Sequence, residues 1–395
     1  MDAARPTNRR AILIYVFPAA VDLVIGLVLF VATVRAVRMG GETLRSAAVL
    51  TVWSLVYVIA CPVVGRFAKP ANASRLVLAG ISILAVFCVL LAFAPGFVPM
   101  LLLVGGVGVA AALFFPPFQV FMKDYDAAGG KSLASSTGLY TFAWSAGFAT
   151  GPLASGFLMQ LGGVQGWRLA FLLGAGVCIL LTIILLGLNR RRGSQPVPSH
   201  TDAIAADTTY ATKPDLAWLG WIVAGVGFIA LSMIRSIFPA RAVGALYFAE
   251  GSVGMLFFTI SMTQALVGLA MTRSRTWMYR PLPLVGFALA GVAGTLCFGV
   301  GERLPLLLAG AVLFGIYSGS FFFFVVFHAL VHPSKAGHYV AVNESIVGIM
   351  GVLAPLAAAS AADMLGYRVP FFAACGLVLA VTAFQAWVLG RRRAG

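Results

Sequence analysis

The chain has 395 residues, 61% of them hydrophobic and only 10% charged, with a formal net charge of +15 and a mean hydropathy of +0.99. Soluble domains are about 45–50% apolar and about 25% charged, so a soluble globule is excluded. The 27 Lys and Arg residues are scattered between apolar runs rather than gathered into the basic face that nucleic acid requires, and no nucleic-acid partner is expected.

A helix that crosses a bilayer needs about 20 apolar residues, because its backbone polar groups must be satisfied within the segment. Twelve runs meet this need, near 11–34, 45–64, 75–94, 98–121, 138–161, 167–188, 216–239, 251–272, 282–300, 304–330, 343–363 and 369–389. The opening MDAARPTNRR is short and basic, and the run after it is too long for a signal-peptide core, so the N-terminus is expected to be retained. The stretch 189–215, rich in Pro, Ser, Thr and Asp, has no hydrophobic period and reads as a flexible linker. It divides the chain into 1–188, a six-helix half, and 216–395, a second one. Nineteen of the 27 basic residues fall on the side of the N-terminus, the linker and the C-terminus, and the positive-inside rule makes that side cytoplasmic. The partner implied is the bilayer of an inner (plasma) membrane.

Two stretches repeat about half a chain apart. Gly147 to Phe171 carries Gly147, Gly151, Pro152 and Gly156, then Trp167-Arg168; Gly348 to Phe371 carries Pro355, then Tyr367-Arg368. Such spacing is that of two tandem halves of one membrane protein. Six plus six helices, a cytoplasmic central linker and a repeated Gly-Pro helix together resemble the major facilitator superfamily over essentially the whole chain. The expected fold is therefore an all-α membrane protein, two pseudo-symmetric six-helix bundles with both termini cytoplasmic. Gly147-x-x-x-Gly151-Pro152-Leu-Ala-Ser-Gly156 is similar to the family's antiporter motif, with Ser155 where glycine is usual. Its small residues admit a close neighbouring helix, and its proline removes a backbone donor. The resemblance implies that this contact seals one end of a cavity. The family's loop between spans 2 and 3 is matched by Gly65-Arg66-Phe67-Ala68-Lys69, with lysine in place of the expected acid. The second half offers Gly268 to Arg273, again without the acid, which puts the charge latch of that loop in doubt.

Asp22 stands alone in the first span, about twelve residues into it. A carboxylate at the bilayer centre costs several kcal/mol unless it is paired, hydrated or protonated, which suits it to carry a coupling proton. Arg35 and Arg235 lie near the ends of spans 1 and 7 at matching places in the two halves, and guanidinium forks suit carboxylate or phosphate. Tyr57, Gln119, Gln264 and Tyr317 are polar groups within spans that suit an amphipathic organic substrate. Three other residues are kept out of the substrate site. His328, beside His332, is placed at the interface; Glu344 caps a helix dipole; Asp363 pairs with Arg368. All five cysteines lie in apolar runs without CxxC spacing, so neither a disulfide framework nor a metal site is implied. Walker A, HExxH and GxSxG sequences are missing, and no cofactor or enzymatic chemistry is expected.

These residues and the resemblance together imply a secondary transporter working by alternating access. Its expected activity is proton-coupled export of a small organic or amphipathic compound, and a monomer suffices. The lack of a second obvious acid within a span disfavours Na⁺, which needs several oxygen ligands. Uptake or exchange of an organic anion through Arg235 and Arg35 is the alternative. A non-transporting sensor or assembly partner of the same fold is the reading from another class.

Overall fold

The computed structural model describes residues 14–40, 43–129, 133–192, 214–271, 279–330 and 335–394. The linker over 193–213, and Arg273, Arg275 and His332, lie outside the described residues. Twelve long helices follow one another: α1 (Val16–Arg38), α2 (Thr43–Phe67), α3 (Pro70–Ala92), α4 (Phe97–Gly129), α5 (Leu133–Leu161), α6 (Gly166–Arg192), α7 (Ala217–Pro239), α8 (Glu250–Met271), α9 (Pro281–Val300), α10 (Leu304–Leu330), α11 (Ala336–Leu365) and α12 (Arg368–Ala394). No strand occurs among the described residues. Eleven of the helices are long and apolar enough to span a membrane. The exception, α5, is diluted by Gly, Ser and Thr, because it is wedged between other helices and presents little of itself to lipid.

The packing repeats with a period of six helices. In the first half α1 packs on α5 and α6, α3 on α4 and α6, and α2 on α4. In the second, α7 packs on α11 and α12, α9 on α10 and α12, and α8 on α10. Two pseudo-symmetric bundles result, joined chiefly by α5 against α8 and α2 against α11. Each half exposes large apolar side chains outward, among them Leu102, Ile183, Leu289 and Phe372, as helices facing hydrocarbon do. The helix starts at Val16 and Ala217 and the ends at Arg192 and Ala394 share one end of the molecule, here the proximal end. Arg38, Glu250 and Leu161 mark the distal end.

Glycine sets the closest approaches. A Cβ at Gly147 would strike the Ala19 carbonyl, and one at Gly151 would strike the backbone of Leu23 and Leu27. Pro152 leaves the Phe148 carbonyl without its helical donor, and that oxygen faces α1, 2.7 Å from where a Cβ at Gly26 would stand. On its other side α5 meets α8: a Cβ at Gly156 would lie 2.6 Å from the Glu250 carbonyl. One helix thus fastens α1 within its own bundle and α8 across the interface. The sequence motif and the contact coincide.

Candidate functional site

The distal end is closed by contacts between the bundles. Arg38 of α1 pairs with the buried Glu250 of α8, and the Ser46 hydroxyl of α2 donates to the Ser236 carbonyl of α7. Phe30 and Phe257 meet edge to face at 5.8 Å between ring centres. Farther in, Thr51 Oγ1 lies 3.4 Å from the Val352 carbonyl, where α2 crosses α11.

Proximal to this seal the bundles separate. Glu344 of α11 is accessible, yet it lies within electrostatic reach of Tyr57 and Cys61 on α2 and of Tyr140 on α5. Accessible side chains that face residues of the other bundle line a cleft. Gln119 of α4, also accessible, lies beside Tyr140. Tyr57 bonds to Cys61 one turn on, stacks on Trp53 with ring centres 5.2 Å apart, and meets Phe115 edge-on at 6.3 Å. Asp22 acts on Tyr140 from the α1 side. It is 6% exposed, and its Oδ2 has no hydrogen-bond partner. The cleft therefore joins two carboxyl groups to a set of phenol, amide and aromatic groups. Asp22 is the seventh residue of α1, only about 9 Å in from its start at 1.5 Å per residue. It sits in the proximal third of the helix rather than at the midplane.

The proposed arginine clamp does not assemble. Arg35 donates to the Ala94 carbonyl at 2.6 Å, with its guanidinium 3.6 Å from the centre of the Trp167 ring, inside the first bundle. Its counterpart is Arg241, not Arg235. Arg241 donates to the Phe298 and Gly299 carbonyls, both at 3.0 Å, and lies over Tyr367 at 4.8 Å. The register shifts because helical structure continues past Pro239 as a π-helical stretch, Ala240–Ala245. Arg241 rather than Arg235 thus reaches the helix end. Arg235 instead faces the bundle interface, 3.2 Å from Ser261 Oγ and over the Phe148 ring at 4.6 Å.

Other sequence-derived candidates fall elsewhere. Tyr317 is buried within the second bundle between Phe314 and Phe321, beside a small internal pocket it shares with Gln385. Gln264 is buried in α8, its Oε1 without a partner. Gly65 and Arg66 lie exposed at the proximal end of α2, where no neighbour approaches Gly65 within 4 Å. His328 is not interfacial. It is 1% exposed, packed against the rings of Tyr279, Phe324 and Phe327, because the aromatic run of α10 folds inward. Arg368 lies 3.7 Å from Glu302, so the expected partner Asp363 is replaced. Glu344 and Glu250 are the residues that sequence reasoning missed as cleft and seal components. Glu250 opens α8 and looks like a dipole cap; Glu344, expected to be such a cap, stands nine residues into α11 instead, past the turn where the dipole acts.

The sequence profile of the Major Facilitator Superfamily matches residues 13–332. The chain belongs to that family. It is a multi-pass membrane transporter rather than an enzyme. No curated protein sequence matches it. Among solved structures it resembles an inward-facing, occupied bacterial homolog of the human lysosomal transporter Spinster, with a TM-score of 0.68, 17% identity and 98% of each chain covered. The nucleoside transporter NupG superposes with a TM-score of 0.66 at 12% identity, over 96% of this chain and 98% of that one. The human organic anion transporter TETRAN gives 0.66 at 16%, over 96% and 99%. At these identities the likeness concerns the fold, which is that of the superfamily.

Proposed function

We propose that this superfamily member is a proton-coupled secondary transporter that exports a small organic or amphipathic compound by antiport, with Asp22 carrying the proton. Residues 1–188 and 216–395 act as the two rocking bodies and 189–215 as a cytoplasmic linker, in an inner membrane with both termini inside. The observation that carries this reading is Asp22 itself, buried with Oδ2 unpartnered beside the accessible Tyr140–Gln119 pair. A carboxyl group with no resident cation can exchange a proton as the cleft opens and closes. The distal seal and proximal cleft support alternating access, since breaking the first and closing the second would expose the same residues to the other side. With the termini inside, the structure faces inward.

Export rests on the α5 packing motif, which resembles the antiporter motif of the family. A second reading, organic anion exchange, draws on Arg235, whose contacts are a hydroxyl and an aromatic ring rather than a carboxylate. The experiment is substrate-induced proton movement in proteoliposomes, across a panel of organic compounds, for wild type and Asp22→Asn. Loss of proton movement with substrate exchange retained supports the proton role. Unchanged coupling in Asp22→Asn removes it, and a requirement for Arg235 with anions alone would favour the second reading.

A further inference from the structure

We infer that Glu344 is the anionic anchor of the substrate site, and that the site takes an organic cation bearing an aromatic or apolar body. The inference rests on the transport reading above and gives it a substrate class. Three observations converge. Glu344 is the accessible carboxylate of the proximal cleft, standing on α11 opposite Tyr140 of α5, two helices that share no extended packing. Among the described residues neither Glu344 nor Asp22 is ion-paired: the acids that pair with Lys and Arg are Glu250, Asp215 and Glu302. Asp22, nine-tenths buried and with Oδ2 unpartnered, lies within electrostatic range of Tyr140, as Glu344 does, so both uncompensated carboxyl groups stand in the neighbourhood of one phenol.

The walls around them are aromatic. Trp53 and Tyr57 stack in parallel, their planes only 4° apart, and Phe115 and Tyr140 complete the N-bundle side. Aromatic faces attract a desolvated cation, and quaternary ammonium groups are recognised by such surrounds. Two carboxyl groups and several ring faces repel an anion instead. Arg235 lies in the distal part of α7 over Phe148, at the other end of the interface from Asp22 in the proximal third of α1. The same arrangement explains why Glu344 lies exposed rather than paired: its partner arrives with the substrate. A single-carboxylate mechanism, with Asp22 for the proton alone, gives Glu344 no role.

The test is calorimetric binding in detergent of three permanently charged probes, benzyltrimethylammonium, methylpyridinium and tetraphenylphosphonium. Neopentylbenzene, the uncharged isostere of the first, and phenylpropionate serve as controls. At least one cation is expected to bind wild type, with the isostere and the carboxylate at least tenfold weaker. Glu344→Gln is expected to weaken that cation at least tenfold, while Glu344→Asp restores most of the affinity. Monodisperse elution and an unchanged unfolding temperature exclude misfolding as the cause. The inference is overturned if no probe cation binds wild type, if phenylpropionate binds as well, or if Glu344→Gln binds as wild type does. Binding in detergent does not depend on coupling. A transporter that binds the cation but moves no protons would sink the Asp22 reading and leave this one standing.

Discussion

The guanidinium of Arg35 lies 3.6 Å from the centre of the Trp167 ring. Six helices later Arg241 repeats the contact over Tyr367, at 4.8 Å. In each half the arginine ends the first helix of its bundle, its fork takes a carbonyl at the end of the third, and its face takes the aromatic that opens the sixth. The repeated aromatic–Arg pair, Trp167-Arg168 and Tyr367-Arg368, is thereby explained by its aromatic member. The ring receives an arginine from elsewhere, and it ties three helices at the distal end of each bundle.

These contacts should govern stability rather than affinity. A desolvated cation–π contact contributes up to about 2 kcal/mol, and a charge-assisted hydrogen bond about 1.5–3 kcal/mol. Trp167→Ala and Arg35→Gln are each expected to lower stability by about 2–4 kcal/mol, seen as a lower unfolding temperature. Tyr367→Ala should behave alike, since Arg241 is held by two carbonyls as well. The folded fraction of Arg35→Gln should bind substrate as wild type does. A weakened affinity at normal unfolding temperature would restore Arg35 to the substrate site.

The α5 glycines make a second prediction. At Gly151 an added Cβ meets the α1 backbone, which cannot move aside as a flexible side chain would. Gly151→Val and Gly147→Val are expected to cost at least the roughly 1–3 kcal/mol of ordinary overpacking. Gly176 of α6, with nothing within 4 Å, should tolerate the same change within about 0.5 kcal/mol. Thermal unfolding of the three variants in one detergent compares them directly. Equal losses at all three sites would show that the close approach of α1 and α5 is not what those glycines serve.

What the sequence discloses follows from the physics of each feature. Twelve spans were legible because hydrocarbon demands long apolar runs, and Asp22 was legible because a lone acid interrupts one. The fit of α5 to α1 was legible through glycine spacing, although α5 alone of the twelve helices falls short of the apolar length of a spanning helix. Glu344 was not legible. Its apolar run begins near 343, so it reads as a cap at a helix start; α11 begins instead at Ala336 and carries it nine residues in, past the first turn where the dipole acts, within reach of α2 and α5 across the cleft. The matching of Arg35 with Arg235 failed for a local reason, the π-helical stretch that carries the chain on to Arg241. Contacts between bundles, Arg38 with Glu250 above all, join residues 212 apart and leave no periodic trace.

That ion pair is the third object of prediction. Its arginine is about half exposed while its glutamate is buried, at 51% and 7% of side-chain surface, so solvent screens part of the attraction. Removing it with Glu250→Gln should weaken the distal seal by about 1 kcal/mol, a shift of roughly fivefold in the balance of open and closed states. The readout is the labelling rate, by a reagent confined to the distal side, of a cysteine placed at Ser54, which meets α11 at Gly351 below the seal, in a background without the five native cysteines. Faster labelling in Glu250→Gln, and faster labelling of the wild-type pair at high salt, is expected. Unchanged rates in both would assign the seal to its other contacts, the packing of α5 on α8 and the Ser46–Ser236 and Phe30–Phe257 pairs.

Asp22 separates function from stability most sharply. A buried acid held by hydrogen bonds is costly to replace, about 1–3 kcal/mol for the partners left behind. Asp22 leaves no such partner at Oδ2, and its neighbours in α1 are apolar. Asp22→Leu, of the same branched shape though larger, should therefore be as stable as wild type or more stable by about 1 kcal/mol, since apolar replacement of an uncompensated buried acid relieves desolvation. The same variant should lose proton-coupled flux entirely. Both are measured on one preparation, by thermal unfolding in detergent and by pH change in proteoliposomes. A rise or constancy in unfolding temperature together with lost coupling marks a residue retained for function at the expense of stability. A fall of several degrees would show instead that the Asp22 carboxyl supports the packing of α1 against α5, and the loss of flux would then say nothing about protons.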